Sequence, residues 1–452
     1  MTNHALDVLR GAVWGDMGVG KTVSTLTALD ALFLAGESHP ALVIAPLIVA
    51  RDTWPEEARK WDHLRQTDIM PILGTQAERL AALRYDVSTY TINYENLEWL
   101  VEHLGDRWPF RTVVVDEARK LKSFRLKQGG KRTAALARVA HTKVKRMIQL
   151  TGAPAPNGLI DLYGQAWFLD AGKRLGRTYS AFRDRWFRTA PNGFGVVPME
   201  FAQEQIQAAL SDVCLRVDAA DWFDLEKPIH VPRHVELPAK ARIKYKEMEK
   251  EMYTQIEDRH AEVFNAAAKT QKLLQLCNGA VYVDPLVQGE ESPGPKEWRE
   301  VHDVKLQELE SIVSEANGSP VLVAYHFKSD LARLLKAFPK ARVLSDPAQL
   351  REFKTGKYEV GFGHPASMGH GVDGLQAHCH RIAFFGHWWD MDQRDQIIGR
   401  VGPVRQFQAG HKRPVYIYDI IARGTVDELV LARHETKRAV QDILLESMKG
   451  RK

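Results

Sequence analysis

Between Gly15 and Thr22 the chain reads Gly-Asp-Met-Gly-Val-Gly-Lys-Thr, the complete pattern GxxxxGK[ST]. A short run of β character, Ala12-Val13-Trp14, precedes it. Apolar residues at Val23, Leu26, Leu29 and Leu32 follow at helical spacing before Gly36. Strand, glycine-rich loop and helix in this order make a P-loop, whose backbone N–H groups turn inward around phosphate oxygens at a helix N-terminus. Gly15, Met17, Gly18, Val19 and Gly20 are therefore expected to line a phosphate site. Lys21 would reach the β/γ-phosphates, and Thr22 would give a hydroxyl to Mg2+.

Such a loop needs a sheet behind it. Ala41 to Ala45 and Thr89 to Asn93 read as further strands, and Thr112-Val113-Val114-Val115 runs into Asp116-Glu117-Ala118-Arg119. Strands spaced by helical stretches imply a parallel sheet, with ligands at the strands' C-terminal edge. Two carboxylates delivered there suit phosphoryl transfer to water: Asp116 would hold Mg2+ through water, and Glu117 would orient and deprotonate the attacking water. Met147 to Leu150 is another strand, ending in Thr151-Gly152-Ala153-Pro154, where Thr151 can hydrogen-bond near the phosphates.

The net charge of +5 is mild, but its distribution is not. From Ala118 to Ile160 there is no acid, and Arg119, Lys120, Lys122, Arg125, Lys127, Lys131 and Arg132 are among its basic residues. A solvated face and a phosphate-backbone track are both compatible with this run; its position directly after the carboxylates favours the track. Lys173 to Arg188 interleaves basic and aromatic residues, as a strand-gripping surface or an amphipathic helix would.

Beyond a Pro/Gly-rich stretch from Pro285 to Glu300, a second alternating unit begins, with strands at Pro320 to Tyr325, Arg342 to Leu344 and Val360 to Gly363. The three cysteines are far apart and form no disulfide framework, and His378-Cys379-His380 reads as packing rather than a metal cluster. At 452 residues the chain suits two or three domains. It has no apolar run long enough for a membrane span and no signal-peptide pattern, so a cytoplasmic protein is expected.

Taken in order, the P-loop, Asp-Glu-Ala-x and Leu-Thr-Gly-x-Pro resemble motifs I, II and III of superfamily-two DEAD/DEAH-box helicases, in the wording of the Swi/Snf-like branch. Ala45-Pro46-Leu47 with Trp54 and Trp61 is similar to that branch's motif Ia. His364 through Gln376 resembles motif V, and Gln396-Ile397-Ile398-Gly399-Arg400 resembles motif VI. The wording from Gly402 through Glu428 is similar to compact bacteriophage-encoded members, which would place the protein in a host cell's cytoplasm.

The resemblance implies an α/β fold of two tandem RecA-like parallel-sheet lobes with helical insertions between them: lobe one over 1–172, an insertion and linker over 173–300, lobe two over 301–452. It implies ATP and Mg2+ as cofactors, ATP hydrolysis in the inter-lobe cleft, and translocation of a monomer on duplex DNA. Gly371 and Gln396 would join the nucleotide site. Pro46, Arg119, Lys122, Thr151 and His326 would contact nucleic acid, and Arg400 and Arg405 would stabilise transition-state charge. RNA as the polymer, a strand-separating helicase, and a nucleotide-dependent DNA-binding or remodelling protein with weak ATPase are the alternatives.

Three departures from the family wording stand out. Arg119 replaces the usual histidine of motif II. Motif V carries one extra residue around Asp373-Gly374, and Pro403 occupies the second arginine position of motif VI. The family's adenine-reading glutamine lies further upstream than this sequence reaches: either the start is truncated, or adenine is held less specifically. Thr425-Val426-Asp427-Glu428 reads as a capping box, with Glu428 returning to the N-cap.

Overall fold

The computed structural model describes residues 1–36, 40–126, 130–156, 158–189, 195–256, 262–283, 297–368 and 372–449. The chain divides into two compact units, Met1–Asp224 (with Lys437–Lys452) and Leu225–Thr436.

In the first unit the strands are β1 (Arg10–Gly15), β2 (Ala41–Ala45), β3 (Ile69–Pro71), β4 (Thr89–Asn93), β5 (Thr112–Asp116), β6 (Arg146–Thr151), β7 (Phe187–Thr189), β8 (Val196–Pro198) and β9 (Cys214–Val217). Seven of them form a wholly parallel sheet in the order β3-β4-β2-β5-β6-β1-β9, while β7 and β8 make a separate antiparallel pair. Both sheet faces are covered, which is why the central strands are continuously apolar rather than alternating. Val113 and Val115 pack into one core cluster with Leu42, Ile44 and Met147. Val114 points the other way, with Val43, Ile148 and Leu150.

The basic and aromatic stretch after Lys173 is resolved by burial. Phe182 and Trp186 on helix Tyr179–Trp186 lie in the core beside Tyr163, while Arg183 and Arg185 stay outside. The aromatics therefore serve packing, as the amphipathic reading expects.

In the second unit the strands are β10 (Ile229–Val235), β11 (Ala280–Tyr282), β12 (Trp298–Glu300), β13 (Val321–Ala324), β14 (Arg342–Val343), β15 (Val360–Gly363), β16 (Arg381–Phe384) and β17 (Tyr416–Ala422). Six form a second parallel sheet ordered β10-β17-β16-β13-β15-β14. Again the inner strands serve two cores, Val321 and Val323 on one side and Leu322 and Ala324 on the other. The two sheets bear out the expected pair of parallel-sheet α/β lobes.

A charged network crosses the second core. The Lys305 ammonium, fully buried, lies 2.7 Å from the equally buried Asp427 carboxylate and donates to Asn278 Oδ1, whose amide in turn donates to Asp330. Asp427, rather than Glu428, is the acid that turns back at the start of the last helix, accepting from the Ala422 N–H. That corrects the expected capping box. The acid nearer the strand is drawn inward by Lys305, an interaction that local spacing does not reveal.

Burial pushes His302, His326 and His387 down to about 4, each chiefly by desolvation. The unfolded chain takes up protons on these imidazoles below about pH 6.5, whereas the folded unit does not, so their stabilisation is complete above that pH and is lost as the pH falls toward 4. Asp330, raised by burial to about 6, acts in the opposite direction, but as one carboxyl against three imidazoles. The second unit should therefore lose stability between pH 6.5 and 4.5. Pulse-labelling hydrogen exchange through a urea series, read in peptides spanning β13 and β16, should give a lower midpoint at pH 5 than at pH 7.5. An unchanged midpoint would refute the assignment.

Candidate functional site

The order of the first sheet brings the sequence motifs together. β6 lies between β1 and β5, with Trp14 opposite Thr151 and Asp116 opposite Leu150. The P-loop, the paired carboxylates and the Thr151 turn therefore leave the sheet side by side. Gly18 and Gly20 adopt left-handed backbone (φ 86° and 83°), which a side chain would strain. Gly20 caps helix Lys21–Leu34, whose first N–H groups open toward the loop.

Lys21 is partly buried, and its ammonium donates to the carbonyls of Gly15 (2.6 Å) and Asp16 (2.7 Å). Burial pulls its pKa down, against the attraction of Glu117, Asp116 and Asp16. Asp116 is likewise partly buried, and desolvation followed by the neighbouring Glu117 charge raises it to about 6. Both its oxygens are held: Oδ1 accepts the Glu117 N–H at 2.9 Å and Oδ2 accepts the Trp54 indole N–H at 3.0 Å. Glu117 sits in left-handed backbone (φ 56°), an uncommon conformation for a residue with a side chain. Its carboxylate pairs with the Arg119 guanidinium at 3.2 Å.

Three supports went unassigned in the sequence. The Tyr94 hydroxyl, at the end of β4, donates to the Asp116 carbonyl at 2.5 Å and lies 3.3 Å from that of Glu117. Trp54, fully buried, holds the Asp116 carboxylate from the following helix. Arg216, on edge strand β9, donates to Asp16 at 3.1 Å, and the Ala219 N–H reaches the same carboxylate. Tyr94 and Trp54 sit beside motifs already noted. Arg216 lies in a stretch with no motif, and its only signal was an arginine inside a short β run.

The expected nucleic-acid contacts divide. Pro46 and Thr151 are buried, leaving backbone as what they can offer. Arg119 is engaged with Glu117, and Lys122 lies 3.7 Å from Asp161 while remaining partly exposed. His326, in the second unit, stacks with His364 and Trp388 (centroids 5.9 and 5.6 Å), because β13, β15 and β16 are neighbours and end together.

Arg400, also in the second unit, is buried on helix Met391–Val401 and donates to the carbonyls of Met368 and Val372. Gln396 is buried on the same helix. Arg405 forms a 3.0 Å ion pair with Asp373. Gly371 lies outside the described residues.

The donors available in the first unit suit a magnesium nucleotide. Thr22 and Asp116 are hard oxygen donors beside a phosphate-binding loop, and Mg2+ is ordinarily held by one or two protein oxygens together with phosphate and water. Among the described residues there is no cluster of three or more His, Cys, Asp or Glu side chains able to hold a metal unaided. No helix among them is long and apolar enough to cross a membrane.

Residues 7–282 match the SNF2-related domain. Protein p41 of Acyrthosiphon pisum secondary endosymbiont phage 1 is 54% identical over 99% of this chain and 96% of its own length. The mouse SWI/SNF-related matrix-associated actin-dependent regulator of chromatin subfamily A member 1 is 24% identical over 97% of this chain, and human chromodomain-helicase-DNA-binding protein 7 is 24% identical over 70%. This chain spans 42% and 10% of those two proteins. Among solved structures, the Sulfolobus solfataricus SWI2/SNF2 ATPase core in complex with dsDNA is 22% identical, with a TM-score of 0.43 over 99% of this chain and 91% of that one. The chain belongs to the SNF2-related family, whose domain it carries over residues 7–282.

Proposed function

We propose that the protein is a DNA-stimulated, Mg2+-dependent ATPase that moves along duplex DNA. The observation that carries this reading is the convergence of Lys21, Thr22, Asp116 and Glu117 at the same edge of one sheet, after the two strands that flank β6. Lys21 would exchange the carbonyls of Gly15 and Asp16 for phosphate oxygens. Glu117 Oε would take the proton of the attacking water, with the Arg119 guanidinium keeping that carboxylate oriented. Thr22 and Asp116 would hold Mg2+, which would supply charge neutralisation for the phosphates.

Support for a polyanionic partner lies immediately after the carboxylates. Lys120, Lys131 and Arg132, with Tyr94, Ser123, Gly130 and Thr133, line a surface cavity of about 350 Å3. Cations around an open concavity suit successive backbone phosphates. The name of the chromodomain relative adds the word DNA-binding for that protein.

Of the two candidate arginines in the second unit, Arg405 suits the finger role better. Its ion pair with Asp373 is partly solvent-exposed, and such pairs contribute roughly 0–1 kcal/mol, so redirecting the side chain costs little. Arg400 is buried against two carbonyls and better fitted to shaping the segment after β15.

Three outcomes are expected. Steady-state ATP hydrolysis should rise several-fold with duplex DNA, and the stimulation should fall steeply when salt is raised from 50 to 200 mM. Glu117→Gln should abolish turnover yet retain nucleotide affinity measured with a fluorescent ATP analogue; undiminished hydrolysis would sink the ATPase assignment. Arg405→Ala should lower kcat by on the order of 10³-fold with KM nearly unchanged, whereas a loss confined to KM would remove Arg405 from the finger role.

A further inference from the structure

The indole of Trp54 enters a hydrogen bond that no reading of the motifs assigns. Its ring is fully buried in the core formed by Val43, Ala45, Val49, Ala50 and Ala58, so it has no room to swing. Its one polar atom, Nε1, points out of that core and meets Oδ2 of Asp116 at 3.0 Å. A buried indole N–H needs an acceptor, and a carboxylate drawn partly out of water needs donors. Each satisfies the other here.

We propose that Trp54 is a positioning residue for metal binding: its N–H sets the rotation of the Asp116 carboxylate, and so places the oxygen that receives Mg2+. The inference rests on the reading of this site as a magnesium-nucleotide site.

Two donors define the plane of the carboxylate, because the Glu117 N–H holds Oδ1 while the Trp54 N–H holds Oδ2. Only the second comes from outside the Asp116–Glu117 turn. Without it the carboxyl group keeps one anchor and rotates about its Cβ–Cγ bond. A hard cation that demands near-octahedral oxygen geometry then meets a ligand that must be ordered on binding. Tyr94 acts on a different part of the same turn, since its hydroxyl bonds backbone carbonyls of Asp116 and Glu117 rather than the carboxylate. Loss of the Tyr94 hydroxyl is therefore expected to disturb Glu117 and kcat, whereas loss of the Trp54 N–H is expected to act on the metal.

The support is also selective within its own helix. Trp61, just after helix Trp54–Lys60, donates its N–H to the partly exposed Glu57 carboxylate at 3.0 Å and stands well away in role from Asp116. It is the natural control.

The test uses Trp54→Phe in the full chain, with Trp61→Phe alongside and folding checked by circular dichroism. A fluorescent ADP analogue is bound in EDTA, and Mg2+ is then titrated while anisotropy is followed. Trp54→Phe should leave the EDTA affinity unchanged and raise the Mg2+ midpoint roughly 10-fold, as expected for a hydrogen bond to a charged group. Trp61→Phe should match the wild type. Tyr94→Phe should lower kcat at saturating Mg2+ with a near-normal midpoint. If Trp54→Phe does not fold, benzothienylalanine at position 54 keeps the bicyclic volume and lacks only the N–H. A folded variant with the wild-type Mg2+ midpoint overturns the proposal while leaving the nucleotide site intact. Wild-type protein whose analogue binding ignores Mg2+ overturns the site reading and the proposal together.

Discussion

Asp16, Lys21, Asp116, Glu117 and Arg216 share one partly buried sheet edge, and the design of the first unit follows from keeping them there. Charges removed from water must be paired or hydrogen-bonded. Lys21 meets carbonyls and feels three carboxylates, Asp116 takes two donors, Glu117 takes Arg119, and Asp16 takes Arg216. These partners come from the end of β1, the turn after β5, helix Trp54–Lys60 and strand β9, with Tyr94 after β4 holding the same turn. That is why strands β4 and β9 and the helix after β2, none of which carries a nucleotide motif, are as necessary to the site as the P-loop itself. What remains is the raised pKa of Asp116, from desolvation first and the Glu117 charge second, both of which a divalent cation would offset.

The second unit solves a similar problem inside its core. Lys305 and Asp427 are buried outright, and Asn278 extends their pairing to Asp330, whose carboxylate receives the Phe327 N–H just ahead of helix Lys328–Ala337. The start of the last helix and the loop after β13 are thereby tied through one polar chain. Replacing a single member would strand its partner without solvent or counter-charge, which is costlier than never burying the pair.

Much of this was legible in the sequence, for identifiable reasons. The P-loop, the Thr112-to-Asp116 strand and the alternation of strands with helices are local patterns, set by backbone geometry and by burial on both faces of a parallel sheet. Strand order is not local. Crossover connections let β6 insert between β1 and β5, and nothing in the residues of β6 states that position. The same holds for Arg216 and Trp54, whose roles are side-chain bonds to partners 200 and 62 positions away. Burial of Pro46 and Thr151 was equally hidden, since a residue at a strand end can face ligand or core with the same neighbours in sequence.

Two departures from the family wording meet in the fold. Pro403 removes an arginine, yet it also begins a new helix, Pro403–Gln408, with Gly402 as its N-cap. A side chain at Gly402 would press within 2.9 Å of the Ile398 carbonyl, so the Gly-Pro pair breaks the preceding helix at a place where the chain must turn tightly. The turn carries Arg405 to Asp373, the residue at the one-residue expansion of motif V, where Gly374 adopts left-handed backbone (φ 87°) and donates its N–H to the same carboxylate. Arg400 meanwhile reaches the carbonyls of Met368 and Val372 from the end of the earlier helix. Asp373 is thus the ion-pair partner of Arg405, and a substitution at Asp373 should be felt at Arg405.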